Sequence, residues 1–344
     1  MAVKSLAVKY RPKTWDDVTE QDNIKIILQQ QLATGTVKNA YLFCGGAGTG
    51  KTTCARIFAT ELNNHQGNTI ELDAASNNSV DDIREIIQQA KTQSLDSEYK
   101  IFLLDEVQAL SSNAWQAMLK LIEEPPAKSV FIMCTTDPQK IPKTILSRVQ
   151  RYDFKRISQE GIENRLHKIL HAEMEVGDTV SPEAVSFIAK TADGGMRDAI
   201  TLLDKCLSYS TELTVENVVK ALGVTDYITM LRLTQYLMNW NRAGVLQTIE
   251  NVHYSGADLK QFIKQYVSFI LDICKYRYFK DFSYLSVPKT KEMADMLNSW
   301  VDEDFLGALN LLDTLIKLNA EIKWDTNPKT TIEATLLLAC SEGE

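Results

Sequence analysis

Apolar residues follow two different rhythms along this chain, and the change comes near Ser158. Before it, short apolar runs near 41–44, 69–72, 100–104, 130–134 and 150–154 alternate with stretches whose apolar residues recur every three or four positions. Continuous apolar runs of this length suit strands buried on both faces, and alternation with helical patterns builds βαβ units. The pattern predicts an α/β domain with a parallel sheet and helices on both faces. From Ser158 onward strand signals nearly vanish. Ser181-Pro182-Glu183 reads as a helix start, with serine at the N-cap and proline at the first helical position, and 184–192 keeps an apolar face. Residues 262–273 and 306–318 carry stripes that predict bundle core rather than a ligand groove. The expected division is 1–157, 158–222 and 223–344, the last two all-α, with no internal repeat or low-complexity linker.

The first run, Tyr41-Leu42-Phe43, leads into Gly45-Gly46-Ala47-Gly48-Thr49-Gly50-Lys51-Thr52 and then into helix-forming Thr53 to Ala59. Strand, glycine loop and helix start are what a phosphate-binding loop requires. The glycines let backbone N–H groups point into one concavity, while the positive helix end, Lys51 and the Thr52 hydroxyl with its Mg²⁺ ion supply the remaining charge. A glycine-rich turn can also be a plain flexible loop. The complete Gly-x-x-x-x-Gly-Lys-Thr pattern between strand and helix instead predicts nucleoside triphosphate binding.

A second apolar run, Lys100-Ile101-Phe102-Leu103-Leu104, ends in Asp105-Glu106, so two carboxylates emerge at the C-terminal edge of a buried strand. Asp105 there helps hold the Mg²⁺ and Glu106 orients and polarises a water; the alternative is that the pair caps the next helix. With the loop upstream, the two carboxylates predict an ATPase.

Composition narrows the rest. The chain has 344 residues, 44% hydrophobic and 24% charged, which is ordinary globular make-up for two or three domains. No apolar run reaches membrane-spanning length, and the first nine residues are too short and lysine-interrupted for a secretory signal, so a cytoplasmic protein is expected. Six cysteines, Cys44, Cys54, Cys134, Cys206, Cys274 and Cys340, are scattered singly and indicate neither zinc site nor disulfide framework. The net charge of −8 argues against a polyanion-coating protein, but the charge is uneven. Residues 1–157 carry 19 Lys and Arg against 18 Asp and Glu, 158–222 carry 6 against 11, and 223–344 carry 12 against 16. If nucleic acid is a partner, the first segment must carry the contact. Arg148, just before the last strand, and Arg197, at a helix start in the second segment, stand out, but local chemistry alone assigns neither.

The run Lys9-Tyr10-Arg11-Pro12-Lys13-Thr14-Trp15-Asp16-Asp17-Val18, the glycine loop, Glu71-Leu72-Asp73-Ala74-Ala75-Ser76, Leu104-Asp105-Glu106-Val107, Leu121-Ile122-Glu123-Glu124-Pro125-Pro126, Thr135-Thr136-Asp137-Pro138-Gln139-Lys140 and Ser147-Arg148 follow one another along the chain. Together they resemble the gamma/tau subunit family of the bacterial DNA polymerase III clamp loader, a family of AAA+ ATPases. The likeness continues through Gly195-Met196-Arg197-Asp198-Ala199 and, more weakly, Asn327-Pro328 to Glu333, so it covers nearly the whole chain.

The resemblance implies roles that local chemistry leaves open. Thr136 looks like the sensor 1 polar residue, placed to report on the γ-phosphate or hold the water. Arg148 resembles the arginine finger that one subunit inserts into its neighbour's ATP site. Arg197 resembles the sensor 2 arginine, which moves onto the bound phosphates with the small helical domain. Arg11, Pro12 and Val18 would sit near adenine and ribose, and Gly45 to Thr53 around the phosphates.

Departures from the family pattern also matter. Members usually carry a four-cysteine zinc module after the glycine-loop helix; here Leu62-Asn63-Asn64-His65-Gln66-Gly67-Asn68 closes the gap, so no zinc is expected. That marks a divergent or minimal member, of the kind a phage or other mobile element would encode. Val149 replaces the usual cysteine after Ser-Arg, and Gln108 a frequent histidine after Asp-Glu-Val. Where members often place basic residues along the template, this chain has Asn77, Ser79 and Ser112, and the candidate DNA contacts are Ser76, Asn77, Asn78, Ser79 and Ser112. Small polar groups and helix N-terminal amides position a phosphate with less counterion release.

The expected protein is an AAA+ core, a helical lid and a C-terminal helical collar, with ATP and Mg²⁺ as cofactors. It is read as the motor subunit of a clamp loader in a homo- or hetero-oligomer, pentameric by resemblance, acting with a sliding clamp and primer-template DNA at the nucleoid. Two alternatives stay open: a non-hydrolysing structural subunit of such a loader, and another AAA+ DNA or protein remodelling ATPase, for which neither pore-loop aromatics nor a winged helix is clear.

Overall fold

The computed structural model describes residues 5–67, 69–92, 96–173, 179–222, 227–285, 295, 297–298 and 305–340. The chain forms two compact units: Met1–Glu173 with Ala192–Asp204, and Met174–Thr191 with Lys205–Glu344.

In the first unit, strands β1 (Ala40–Cys44), β2 (Ile70–Asp73), β3 (Lys100–Asp105), β4 (Ser129–Thr135) and β5 (Gln150–Asp153) lie in the order β2-β3-β4-β1-β5. Every pairing is parallel, with Cys44 opposite Thr135 and Asp73 opposite Asp105. Parallel pairing brings the C-terminal ends of all five strands to one edge, where sheets of this kind bind ligands. The glycine loop, Asp105-Glu106 and Thr136 therefore leave the sheet on the same side.

Helices α1 (Leu6–Lys9), α2 (Asp22–Thr34), α3 (Lys51–Leu62), α4 (Val80–Ala90), α5 (Ser112–Glu123), α6 (Lys143–Leu146) and α7 (Gln159–Glu173) complete this part of the chain. Successive strand residues point to opposite faces, so each apolar run feeds two cores. Leu42, Phe102, Leu104, Phe131 and Met133 pack with α4 and α5 through Ile83 and Met118. Their neighbours Phe43, Ile101, Leu103 and Ile132 pack with α2 and α3 through Leu28 and Phe58. This two-sided burial is why the strands read as continuous runs rather than as alternating patterns. Each fully buried Phe or Leu contributes roughly 1.5–3 kcal/mol.

Helix α8 (Pro182–Thr191) belongs to the second unit; α9 (Met196–Tyr209) starts in the first. The remaining helices are α10 (Val215–Leu222), α11 (Tyr227–Met238), α12 (Arg242–Tyr254), α13 (Leu259–Phe279), α14 (Phe305–Glu321) and α15 (Pro328–Ala339). The predicted stripes lie in α13 and α14, and Phe262, Ile263, Phe269, Leu315 and Leu318 join one core with Ile249 and Leu336. The Tyr266 hydroxyl is buried in that core and meets the Thr234 hydroxyl at 2.9 Å, so it is not left unpaired. Ser181 precedes α8 as its spacing predicts; its carbonyl accepts the Ala184 amide at 3.0 Å and its hydroxyl donates to Glu183 Oε2 at 2.6 Å. An isolated parallel bridge, Val180 to Leu213, precedes α8.

All six cysteines are buried and unpaired. Among the described residues no group of three or more His, Cys, Asp or Glu is placed to hold a metal ion, and no helix is long and apolar enough to cross a membrane. Of the 62–68 junction, Asn68 lies outside the described residues.

Candidate nucleotide-binding site

The glycine loop begins where a side chain has no room. Gly45 has φ +154°, and a Cβ there would lie 2.6 Å from the Phe154 carbonyl oxygen and 2.9 Å from Phe154 Cβ. Phe154 is fixed in turn, because its amide donates to the Cys44 carbonyl at 2.7 Å. Gly45→Ala is therefore expected to cost about 2–3 kcal/mol, from overpacking against backbone and from a conformation that only glycine adopts readily. Urea unfolding checks this: the midpoint should fall at an unchanged slope, and an unshifted midpoint would remove the steric argument.

Beyond Gly45, the Thr49 hydroxyl donates to the Gly46 carbonyl at 2.9 Å, and Gly50, with φ +101°, forms the N-cap of α3. Lys51 is the first residue of that helix. It is buried, and its Nζ donates to the carbonyls of Gly45 at 2.9 Å and Gly46 at 2.7 Å. Burial holds its pKa below the usual lysine value, opposed by the Glu106 and Asp105 carboxylates. A desolvated ammonium held mainly by neutral carbonyls is suited to an incoming anion.

Thr52, the next residue on α3, donates its hydroxyl to Asp105 Oδ2 at 2.7 Å, and Asp105 Oδ1 accepts the Glu106 amide at 3.0 Å. One hydroxyl beside one carboxylate fits a Mg²⁺ ion that arrives with phosphates and keeps several waters, rather than an ion caged by protein alone. Glu106 sits in the left-handed region at φ 51°, and neither it nor Asp105 caps the short helix Val107–Ala109 with its side chain. Both carboxylates turn elsewhere, which disfavours the capping alternative. Glu106 Oε2 accepts from the Thr136 hydroxyl at 3.0 Å and from the Gln108 side-chain amide.

Lys51, Thr52, Asp105 and Glu106 border a cavity of about 670 Å³, a volume typical of small-molecule sites, whereas Gly45, Gly46 and Thr136 stand behind its lining. Arg11, Pro12 and Val18 line one part of it, Ala47 to Thr53 the loop side, and Asp105 and Glu106 the sheet edge. Arg197 lines it as well, because α9 starts against the loop. The Met196 amide donates to the Gly48 carbonyl at 3.0 Å, and a Cβ on Gly48 would lie 3.0 Å from Gly195 Cα. The sequence motifs had not singled out Arg56, Arg165 or Tyr10 as site residues, yet all three line the cavity, with Arg165 donating to the Tyr10 carbonyl at 3.0 Å. Tyr10 at least falls inside a quoted motif; Arg165 carries no local signal.

Other expected residues lie apart. Arg148 is outside the cavity lining, ion-paired to Glu123 at 2.8 Å and donating to the Thr144 carbonyl at 2.8 Å. Of the DNA candidates, Asn77 donates to the Asp73 carbonyl at 3.0 Å and Ser76 to the Asp73 carboxylate at 3.4 Å. The carbonyl of Asn78 accepts the Ser111 amide at 3.2 Å. Ser79 is the N-cap of α4 in a capping box with Asp82, whose pKa the Ser79 hydrogen bonds lower. Asp81 and Asp82 in that first turn oppose a phosphate there. Ser112 opens α5, whose first turn has no acidic residue.

A β2-β3-β4-β1-β5 parallel sheet with a glycine loop after β1 and an acidic pair after β3 defines an AAA+ ATPase fold. The Thermotoga maritima RuvB Holliday junction branch migration motor shares it with a TM-score of 0.51 at 18% identity, over 72% of this chain and 86% of that one, a likeness of fold alone. Family models described as DNA polymerase III, delta subunit, as DNA polymerase III clamp loader subunit, ATPase lid domain, and as DNA polymerase III subunits gamma and tau domain III match residues 68–158, 161–212 and 213–343. DNA polymerase III subunit tau of Bacillus subtilis is 34% identical over 99% of this chain and 64% of its own length. DNA polymerase III subunit gamma of Buchnera aphidicola is 29% identical over 99% of each. The chain belongs to the DNA polymerase III clamp-loader gamma/tau family. It spans 64% of the Bacillus tau subunit and 43% of the Escherichia coli one.

Proposed function

We propose that this chain is the ATP-hydrolysing motor subunit of a sliding-clamp loader. The observation that carries the reading is the donor set at one cavity: Lys51 on the loop, Thr52 and Asp105 at 2.7 Å, and Glu106 beside them, in a chain matched by this family's models along 68–343. In this reading Lys51 and the loop amides bind the β- and γ-phosphates of ATP, and Arg11, Pro12 and Val18 hold the nucleoside. Thr52 and Asp105 would hold Mg²⁺, which when bound neutralises charge developing on the phosphates. Glu106 accepts a hydrogen bond from the attacking water and orients it, with Thr136 anchoring that carboxylate. Arg197 contacts phosphate from the start of α9, and Arg148 acts on a neighbouring subunit's site.

The domains are then a core of 1–157, a lid of 158–222 and an oligomerising collar of 223–344; the ATPase-lid model matches 161–212 within the lid, and the domain III model, 213–343, begins before the proposed collar. The partners are other loader subunits in a homo- or hetero-oligomer, a sliding clamp and primer-template DNA. Ser112 at the start of α5 is a better phosphate contact than Ser79, whose hydroxyl is engaged and flanked by acids.

Measuring ATP hydrolysis alone, and with a clamp and primed DNA, tests the reading. Turnover that rises only when both are added supports it. ATP binding without turnover under any condition would make the chain a structural subunit, and turnover indifferent to clamp and primed DNA would make it a different AAA+ remodelling ATPase.

A further inference from the structure

Gln108 lies two residues beyond Glu106, in the short helix Val107–Ala109, and its side chain stands at the centre of a polar network. Its Nε2 donates to Glu106 Oε2 and, at 2.9 Å, to the Thr136 hydroxyl oxygen. Its Oε1 accepts from the Thr135 hydroxyl at 2.7 Å. The Thr135 oxygen also accepts the Asp137 amide at 3.1 Å. The neighbouring carboxylate decides which way the Gln108 amide faces: the flipped amide would set an oxygen against Glu106 Oε2, so the NH₂ end faces Glu106 and Thr136 and the carbonyl end takes the Thr135 hydrogen. Thr135 is fully buried at the end of β4, so the network is anchored in the sheet.

The consequence falls on Glu106. Oε2 takes both donors, Gln108 and Thr136, and these bonds fix the carboxylate while leaving Oε1 for a further partner. We infer that Gln108 is a positioning residue for ATP hydrolysis: by donating to Glu106 Oε2 and Thr136 at once, it aims Glu106 Oε1 at the attacking water. This rests on the proposed role of Glu106. An amide does this without titrating near neutral pH, and it acts on turnover rather than on nucleotide binding.

The test compares wild type, Glu106→Gln, Gln108→Ala and Gln108→Glu for nucleotide binding, by fluorescent-analogue titration, and for steady-state hydrolysis across pH, in the oligomer with clamp and primed DNA. Gln108→Ala should bind ATP like wild type and lose about 10- to 100-fold in kcat, the size expected from removing a hydrogen bond to a charged group. Gln108→Glu has nearly the same shape and serves where the alanine variant folds poorly. It should be slower at neutral pH and recover relative to wild type as pH falls, because a protonated carboxyl again donates to Glu106. On the Glu106→Gln background, Gln108→Ala should add little further loss. A wild-type kcat in Gln108→Ala, a loss confined to ATP affinity, or a Gln108→Glu profile parallel to wild type would overturn the inference while leaving Glu106 in place. Glu106→Gln turning over like wild type would instead remove the Glu106 reading, and this inference with it.

Discussion

Lys51→Ala should bind ATP about 100-fold more weakly than wild type or worse, whereas Glu106→Gln should bind it normally and turn over about 10²–10⁴-fold more slowly. The two residues differ in when they act. Lys51 meets phosphate in the ground state, and a charge-assisted hydrogen bond of about 3 kcal/mol corresponds to roughly 100-fold in affinity. Glu106 acts on the water, so its loss falls on the transition state within the range of general-base catalysis. The Lys51 change should leave the fold intact. Burial lowers the Lys51 pKa, so folding disfavours the protonated amine, and this group's contribution to stability improves only as pH rises toward its ordinary value of 10.5. Removing the amine removes that penalty at neutral pH, and the melting temperature without nucleotide should not drop. Calorimetric titration and phosphate release separate the two variants. Parental hydrolysis rates in both would remove the assignment of the site.

What the sequence made legible follows from how far each signal reaches along the chain. The strands were readable because burial on both faces of a parallel sheet forces short continuous apolar runs such as 101–104. The glycine loop was readable because its demands are local: Gly45 abuts Phe154, and Lys51 and Thr52 follow at fixed spacing. Strand order was not, because nothing in a run such as 130–134 says that β4 lies between β1 and β3. Arg165 reaches the cavity from α7 and Arg56 from α3 through tertiary placement, which no short motif records. The chain's return at 192–204 to the unit of the sheet is likewise invisible to periodicity, since α9 looks like any amphipathic helix. Gln108 departs from the family pattern in the sequence, but its importance lies in contacts with Thr135 and Thr136, a strand away.

Arg148→Ala should keep ATP affinity and lose about 10³-fold or more in hydrolysis, the scale of an arginine supplied across an interface. Within its own chain Arg148 is tied to Glu123 at 2.8 Å, with both side chains about 40% exposed. An exposed ion pair of this kind contributes at most about 1 kcal/mol, so it poses little barrier to Arg148 reaching a neighbour. The decisive measurement mixes Arg148→Ala with Lys51→Ala protein. Each is inactive alone for a different reason, and in a mixed oligomer some interfaces set a wild-type Arg148 against an intact loop. Partial activity should return in proportion to such interfaces. Mixed oligomers that assemble and stay inactive would end the case for action in trans. Normal hydrolysis by Arg148→Ala would leave Arg148 as the surface partner of Glu123 and nothing more.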